Sequence, residues 1–444
     1  MSETVSRLVR RYYLYAGLYT LASSVIWGVN TLFLLDAGLT VSEVFIANAA
    51  WSLGTTLFEI PTGVVADTIG RRASFLISLV VLALTTLVYV GLAQVGGSVV
   101  GFVAVSLLIG LGFTFYSGAM EAWLVDGMHS LGYTEEMDRI FGRGQAISRA
   151  AMIIGTVGGG ILGQVDLAVP FLVRSGLLIA LFVLAFVGMH DLGFEPRRVT
   201  PRQLPAEAIA IGRAGIQFGW ADRSLRLLML GTAAQMGVFA WAWYAWQPYF
   251  LELLERDVVW VAGVVAALLS LSMMLGNGVV EIVSRWCRRR SNIFLWSSAV
   301  FSLALIGVGL ASTFGGALVL LCVSGAALGA QSPVRQAFIH RVAPSKQRAT
   351  VVSFDSMITG GASVAGQTGL GHVAESQGFA AGYVACGAIA LTAMPFYALV
   401  RGIGADADRF EGRRHEFAPT PRGVPHVLQV AGDVSTEAEG EEGV

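Results

Sequence analysis

The sequence is poor in charge and in cysteine, and each shortage excludes something. Charged residues make up 13% of 444 positions, against about 25% in an average soluble domain. That excludes a soluble enzyme, a nucleic-acid binder whose affinity rests on phosphate contacts, and a chain disordered by self-repulsion. The 29 basic and 30 acidic residues leave a net charge of −1, so the total says little and the distribution must carry the information. The three cysteines, Cys287, Cys322 and Cys386, have neither the pairing of a disulfide framework nor the spacing of a zinc site. No P-loop glycine pattern is present, which argues against ATP-driven work by this chain alone.

What is present is apolar sequence in long runs: 55% hydrophobic residues and a mean hydropathy of +0.67. A bilayer core about 30 Å thick takes about 20 apolar residues in a helix. Windows of that kind fall at 12–35, 41–66, 73–95, 99–125, 146–165, 170–192, 225–251, 259–283, 292–312, 315–340, 349–373 and 379–401. They are too long for barrel strands, and in hydrocarbon an unpaired backbone amide costs several kcal/mol, so the expectation is an all-α integral membrane protein of twelve transmembrane helices. With the N-terminus in the cytoplasm, twenty-five of the 29 basic residues fall on cytoplasmic segments and only Arg256 on the opposite loops. The positive-inside bias therefore predicts that both termini are cytoplasmic.

Four segments are expected: an N-terminal six-helix bundle (1–193), a cytoplasmic connector (194–224) with Pro196, Pro201, Pro205 and several arginines, a C-terminal six-helix bundle (225–402), and a disordered cytoplasmic tail (403–444) ending in an acidic run. The bundles read as repeats. The fifth span carries Gly155, Gly159 and Gly163 on one stripe, and the eleventh carries Gly361, Ala365 and Gly369. Small residues at this spacing let helices approach closely in a membrane, and internal duplication is the organisation of secondary transporters.

The sharpest local pattern is Gly63-Val-Val-Ala-Asp67-Thr-Ile-Gly70-Arg71-Arg72, at the turn between spans two and three. Gly63 suits a close helix approach, Gly70 suits the tight turn, and the arginines suit the headgroups. This pattern resembles the inter-span signature of the major facilitator superfamily, with Val65 in place of its leucine and Thr68 in place of a basic residue. The resemblance, over residues 7–402, implies two pseudo-symmetric halves and a gate formed by Gly63, Asp67, Gly70, Arg71 and Arg72, with Asp67 near the start of span eleven at Ala349–Val351. Gly142, Ala151 and Gly155-Thr-Val-Gly-Gly-Gly160 resemble the span-five signature of its drug–proton antiporters, with Ala151 for a glycine and Thr156 for the proline. The span-four arginine of that family is replaced by Ser106. Phe58-Glu-Ile-Pro-Thr-Gly63 and Ser117-Gly-Ala-Met-Glu-Ala-Trp123 add to the likeness.

Ionisable residues inside spans are costly and mark cavities, relays or ion pairs. Glu59, Glu121 and Arg149 lie at similar depths in one half and are expected to cluster. Asp355 and Arg335 are expected to pair in the other. These five are the proton-coupling candidates. Arg174, near the outer end of span six, is read as snorkelling to the interface. The first span of each half is rich in aromatics, and by the resemblance these spans line a central cavity, making Tyr19, Trp27, Trp243 and Trp246 candidates for stacking on a substrate, with Asn30 and Gln235 orienting it.

The function implied is secondary transport by alternating access in the cell membrane, a proton-driven efflux of amphiphilic organic compounds or drugs. A uniporter or symporter of a small metabolite is the second reading, and a non-transporting sensor or assembly partner the third. No cofactor beyond a proton gradient is expected, and no enzyme activity, nucleic acid or metal; the partners are a small-molecule substrate and the bilayer, and the chain is expected to be a monomer.

Overall fold

A chain that cannot hydrogen-bond to water must satisfy its backbone within each segment, and these residues do so as helices. The computed structural model describes residues 3–196, 209, 212–256 and 258–410, and among them the only β-pairing is a single bridge between Arg289 and Arg409. The helices are α1 (Glu3–Ser24), α2 (Asn30–Asp36), α3 (Val41–Ile69), α4 (Arg71–Gln94), α5 (Val99–Tyr116), α6 (Ala119–Ser130), α7 (Asp138–Gly163) and α8 (Val169–Gly188), then α9 (Arg223–Leu254), α10 (Val259–Trp286), α11 (Arg290–Leu310), α12 (Phe314–Val342), α13 (Arg348–Leu391) and α14 (Ala393–Ile403). Among the described residues, nine helical stretches are long and apolar enough to cross a membrane. The α1–α2 pair and α3 add two more. The helical run α13–α14, broken at Gly378 (φ +86°), counts as two spans, which makes twelve.

Local chemistry marks the boundaries. The side chain of Thr40 accepts from the Glu43 N–H while the Glu43 carboxylate accepts from the Thr40 N–H, a reciprocal cap that starts α3. Asp222 accepts from the Leu225 N–H at 2.9 Å and starts α9. Gly118 adopts φ +73° and breaks span four into α5 and α6, a conformation that glycine adopts without a Cβ penalty.

Glycines set the packing, and the same pairings recur in both halves. In the first, a Cβ on Gly155 or Gly159 would strike the backbone of α1 at Leu21 and Val25, and Gly54 and Gly110 bring α3 and α5 into backbone contact. In the second, Gly237 and Gly366 do this for α9 and α13, and Gly276 and Gly329 for α10 and α12. The duplication expected from the sequence is therefore visible in the helix pairs. The stripe expected on span eleven is not the one used, because space is open where Cβ atoms would sit on Gly361 and Gly369. The contact runs instead through Ala362 and Gly366, one residue further on and so about 100° around the helix. Gly63, read as a close-approach glycine, also faces open space.

One further expectation changes. Residues 403–410 are not a loose tail: Asp408 accepts from the Ser291 N–H (2.7 Å) and Oγ–H (2.8 Å), and Arg290 donates to the carbonyls of Ala407 and Arg409 (both 2.6 Å). Asp408 thereby satisfies an orphan donor at the start of α11. The remainder of the expected tail and the middle of the connector lie outside the described residues. At the connector's far end, Gly215 and Gly219 pack on Phe354 of α13.

Candidate functional site

The first span is unwound between Ser24 and Val29, which frees backbone groups that helix bonds would otherwise occupy. Gln247 of α9 takes them up: its Nε2 donates to the Trp27 carbonyl (2.9 Å) and its Oε1 accepts from the Thr31 N–H (2.8 Å). The unwound turn thus presents Trp27 and Asn30 to the space between the halves. Trp27 meets Trp243 edge-on at 6.5 Å.

That space is a cavity of about 450 Å³. Its walls include Trp27, Trp51, Phe113, Phe239, Trp243 and Tyr244, with Asn30, Asn48, Ser52, Tyr89, Ser106 and Arg174 supplying polar groups. Asn30 donates to Asn48 (2.9 Å), and Tyr89 and Ser106 share a hydrogen bond of 3.3 Å. Ser106, where the resemblance implied an arginine, is therefore on the cavity wall. A second chamber of about 280 Å³ shares Trp51, Ser52, Phe239 and Ala240 with the first, and adds Glu59 of α3 with Ser356, Thr359 and Ser363 of α13.

Of the expected cavity residues, Trp27, Asn30 and Trp243 line it. Tyr19 does not: it is buried inside the first half, stacked on Tyr116 at 3.5 Å. Gln235 is buried inside the second half, donating to Ser298 (2.7 Å) and accepting from Tyr397 (3.0 Å). Trp246 packs in the second half's core beside Phe250. The aromatic-rich spans have more than one face, and only one of them meets the cavity.

Arg174 is the residue that the sequence reading misplaced. It is 1% exposed, on the wall of the cavity, and its Nε and Nη2 have no hydrogen-bond partner. The signal was in the spacing. Pro170, Phe171, Arg174, Ser175, Leu178, Leu181 and Ala185 form the buried stripe of α8, so a side chain at 174 faces the bundle interior rather than the interface.

The expected triad does not assemble. Glu59, Glu121 and Arg149 are each exposed and make no ion pair with one another. Arg335 and Asp355 do pair, within the second half. At the arginine-rich end of the bundle, Arg71, which begins α4, pairs with Asp67 in the last turn of α3 and with Asp126 of α6 (3.5 Å). Asp67 is thus engaged within its own half rather than at the start of α13. Gly70 adopts φ +109° at the turn, and Asp191 accepts from the Arg72 N–H (2.9 Å), capping α4. Burial raises the Asp191 carboxyl above its ordinary value, against the hydrogen bond from Arg72 and the pull of the Arg72 and Arg71 guanidiniums.

Between described residues, the hydrogen bonds that join the halves all lie away from this arginine-rich end. Besides those of Gln247, Glu375 accepts from the Ser42 N–H (2.7 Å) and Thr40 Oγ1–H (3.3 Å), and Gln367 donates to Ser52 (2.9 Å). Gly160 of α7 lies against Gly263 of α10. The halves are closed at one end.

The Major Facilitator Superfamily model matches residues 12–289 and 260–430. Among solved structures, the nucleoside transporter NupG superposes with a TM-score of 0.70 at 12% identity, covering 89% of this chain and 99% of that one. A bacterial homologue of the human lysosomal transporter Spinster, inward-facing and unoccupied, superposes at 0.68 with 15% identity, covering 93% and 100%. A POT family transporter in complex with a thioalcohol-conjugated peptide superposes at 0.68 with 12% identity, covering 89% and 96%. At these identities the likeness is one of fold.

Proposed function

From the premise that this chain belongs to the Major Facilitator Superfamily and is a multi-pass membrane transporter, we propose that it moves amphiphilic organic compounds across the cell membrane by alternating access, in exchange for protons. The observation that carries this reading is the aromatic cavity between two duplicated halves whose mutual hydrogen bonds, between described residues, lie at the cavity and on the side away from the arginine-rich end. Ligand sites of this size are mostly apolar with a few placed polar groups. Two repeats rocking about such a site expose it to each side in turn.

On this reading the arginine-rich end is cytoplasmic, and the halves are held together on the opposite side. Asp67, Arg71 and Arg72 belong to the inner gate and engage the other half when it closes. Glu59 is the favoured proton carrier, because it lines the chamber that adjoins the cavity and is free of ion pairing. Without the expected triad, Glu121 and Arg149 have no partner role in that step. The absence of a carboxylate pair also supports the second reading, uniport of a small metabolite, which needs no titrating group.

Proteoliposomes holding an internal pH dye separate the two. Imposing a pH gradient and adding lipophilic cations, neutral antibiotics and organic acids in turn, antiport predicts a dye response to the transported class. Glu59→Gln is expected to reduce that response at least about tenfold with substrate binding intact. Substrate flux with no dye response assigns uniport instead.

A further inference from the structure

Arg174 is a cation in the interior of a membrane protein with no carboxylate paired to it among the described residues. Taking an ion out of water costs several kcal/mol even after relaxation, so intramembrane charges pair or line a pathway. The arginine–carboxylate contact inside the second half, half-buried Arg335 with buried Asp355, obeys the first rule. Arg174 forms no ion pair with any described carboxylate, and no Asp or Glu lines its cavity. The groups around it are phenols and rings: Tyr19, Tyr89 and Tyr244 are its ionisable neighbours, and the Phe113 ring lies 5.9 Å from the guanidinium. A ring face offers a cation partial compensation only.

A second donor belongs to the same wall. Asn48 lines the cavity, and its Nδ2 is buried and lacks a partner. Two sets of unpartnered N–H groups, in a lining that holds hydroxyls and amides but no carboxylate, describe the negative of a ligand: an acceptor-rich anion. A guanidinium presents parallel N–H groups that match a carboxylate in plane, and the aromatic walls suit a flat apolar body attached to it.

Resting on the reading of this cavity as the substrate site, we infer that the solute it takes is an amphiphilic organic anion, an aromatic carboxylate in chemical class, and that Arg174 determines that specificity. A lipophilic cation would meet like charge with no carboxylate to hold it.

The test is equilibrium binding to the purified full-length chain in detergent, read by quenching of cavity tryptophan fluorescence and by calorimetry, with 2-naphthoate and 2-naphthamide. The two probes differ in charge and scarcely in shape. A charge-assisted hydrogen bond predicts that wild type binds the anion about tenfold or more tightly than the amide. Arg174→Gln is expected to bring the two affinities within about twofold, and Arg174→Lys to keep a reduced preference for the anion because the charge remains. A wild type that does not distinguish the probes, or an Arg174→Gln variant that still prefers naphthoate, overturns the inference. Equal binding of both probes leaves the cavity reading intact and removes only the charge preference; binding of neither removes both. If Arg174→Gln does not fold, the wild-type ratio and the Arg174→Lys variant still decide.

Discussion

Single residues carry charge into places where it must be matched, and the interior solves this in two ways. Asp355 is 4% exposed and pairs with Arg335 on the neighbouring helix. Removing one member of such a pair strands the other, and Asp355→Ala is expected to cost about 3–5 kcal/mol, with most of it recovered when Arg335→Met is added. Thermal unfolding of the single and double variants in detergent checks this; full recovery marks the pair as a structural strut, and loss of pH-driven flux in the recovered double variant marks it as part of coupling. At the turn between α3 and α4, the raised Asp191 carboxyl sets a pH dependence. Because its folded value lies above the ordinary 3.8, its contribution is present at low pH and is lost as pH rises through the folded value. Asp191→Asn keeps an acceptor for the Arg72 N–H and removes the charge, so its melting temperature relative to wild type should rise as pH increases from about 4 toward neutrality. A difference that is flat with pH refutes the assignment.

Helices meet here through glycine, and that makes element packing predictable one position at a time. At Gly159 a Cβ would run into the Val25 carbonyl, whereas at Gly361 it would meet nothing within 4 Å. Gly159→Ala is therefore expected to destabilise by about 1–3 kcal/mol. Gly361→Ala should be neutral or gain up to about 1 kcal/mol from helix propensity. Melting temperatures of the two variants test the stripe assignment directly. The spacing of small residues in span five pointed to its true face, because Gly155, Gly159 and Gly163 coincide with the contact. In span eleven small residues occupy several faces, so periodicity alone selected the wrong one. Glu59, Glu121 and Arg149 share a depth along the bundle without sharing a direction around it, and depth was all that residue counting supplied.

At the scale of the molecule, the hydrogen bonds between halves run from the cavity, at Ser52, to one end, where Glu375 meets the first turn of α3. If the halves rock, that contact must break once per cycle. Ser42→Cys with Glu375→Cys, placed in a chain whose Cys287, Cys322 and Cys386 have been replaced, should cross-link with a short bifunctional reagent. The closed end then stays closed, and flux in proteoliposomes falls at least about tenfold, returning when a cleavable linker is reduced. Undiminished flux in the cross-linked protein would rule out rocking at this end.

The sequence by itself determined the number of spans, the duplication and the identity of the basic turn at Asp67–Arg72, because each follows from properties local in the chain: run length, repeat and spacing. Only the tertiary structure decided which side of each helix faces the cavity, and so exchanged Tyr19, Gln235 and Trp246 for Trp51, Phe113 and Arg174 as its lining. That choice depends on helix rotation within a close-packed bundle, and rotation is set jointly by contacts among segments hundreds of residues apart, which no window along the chain contains.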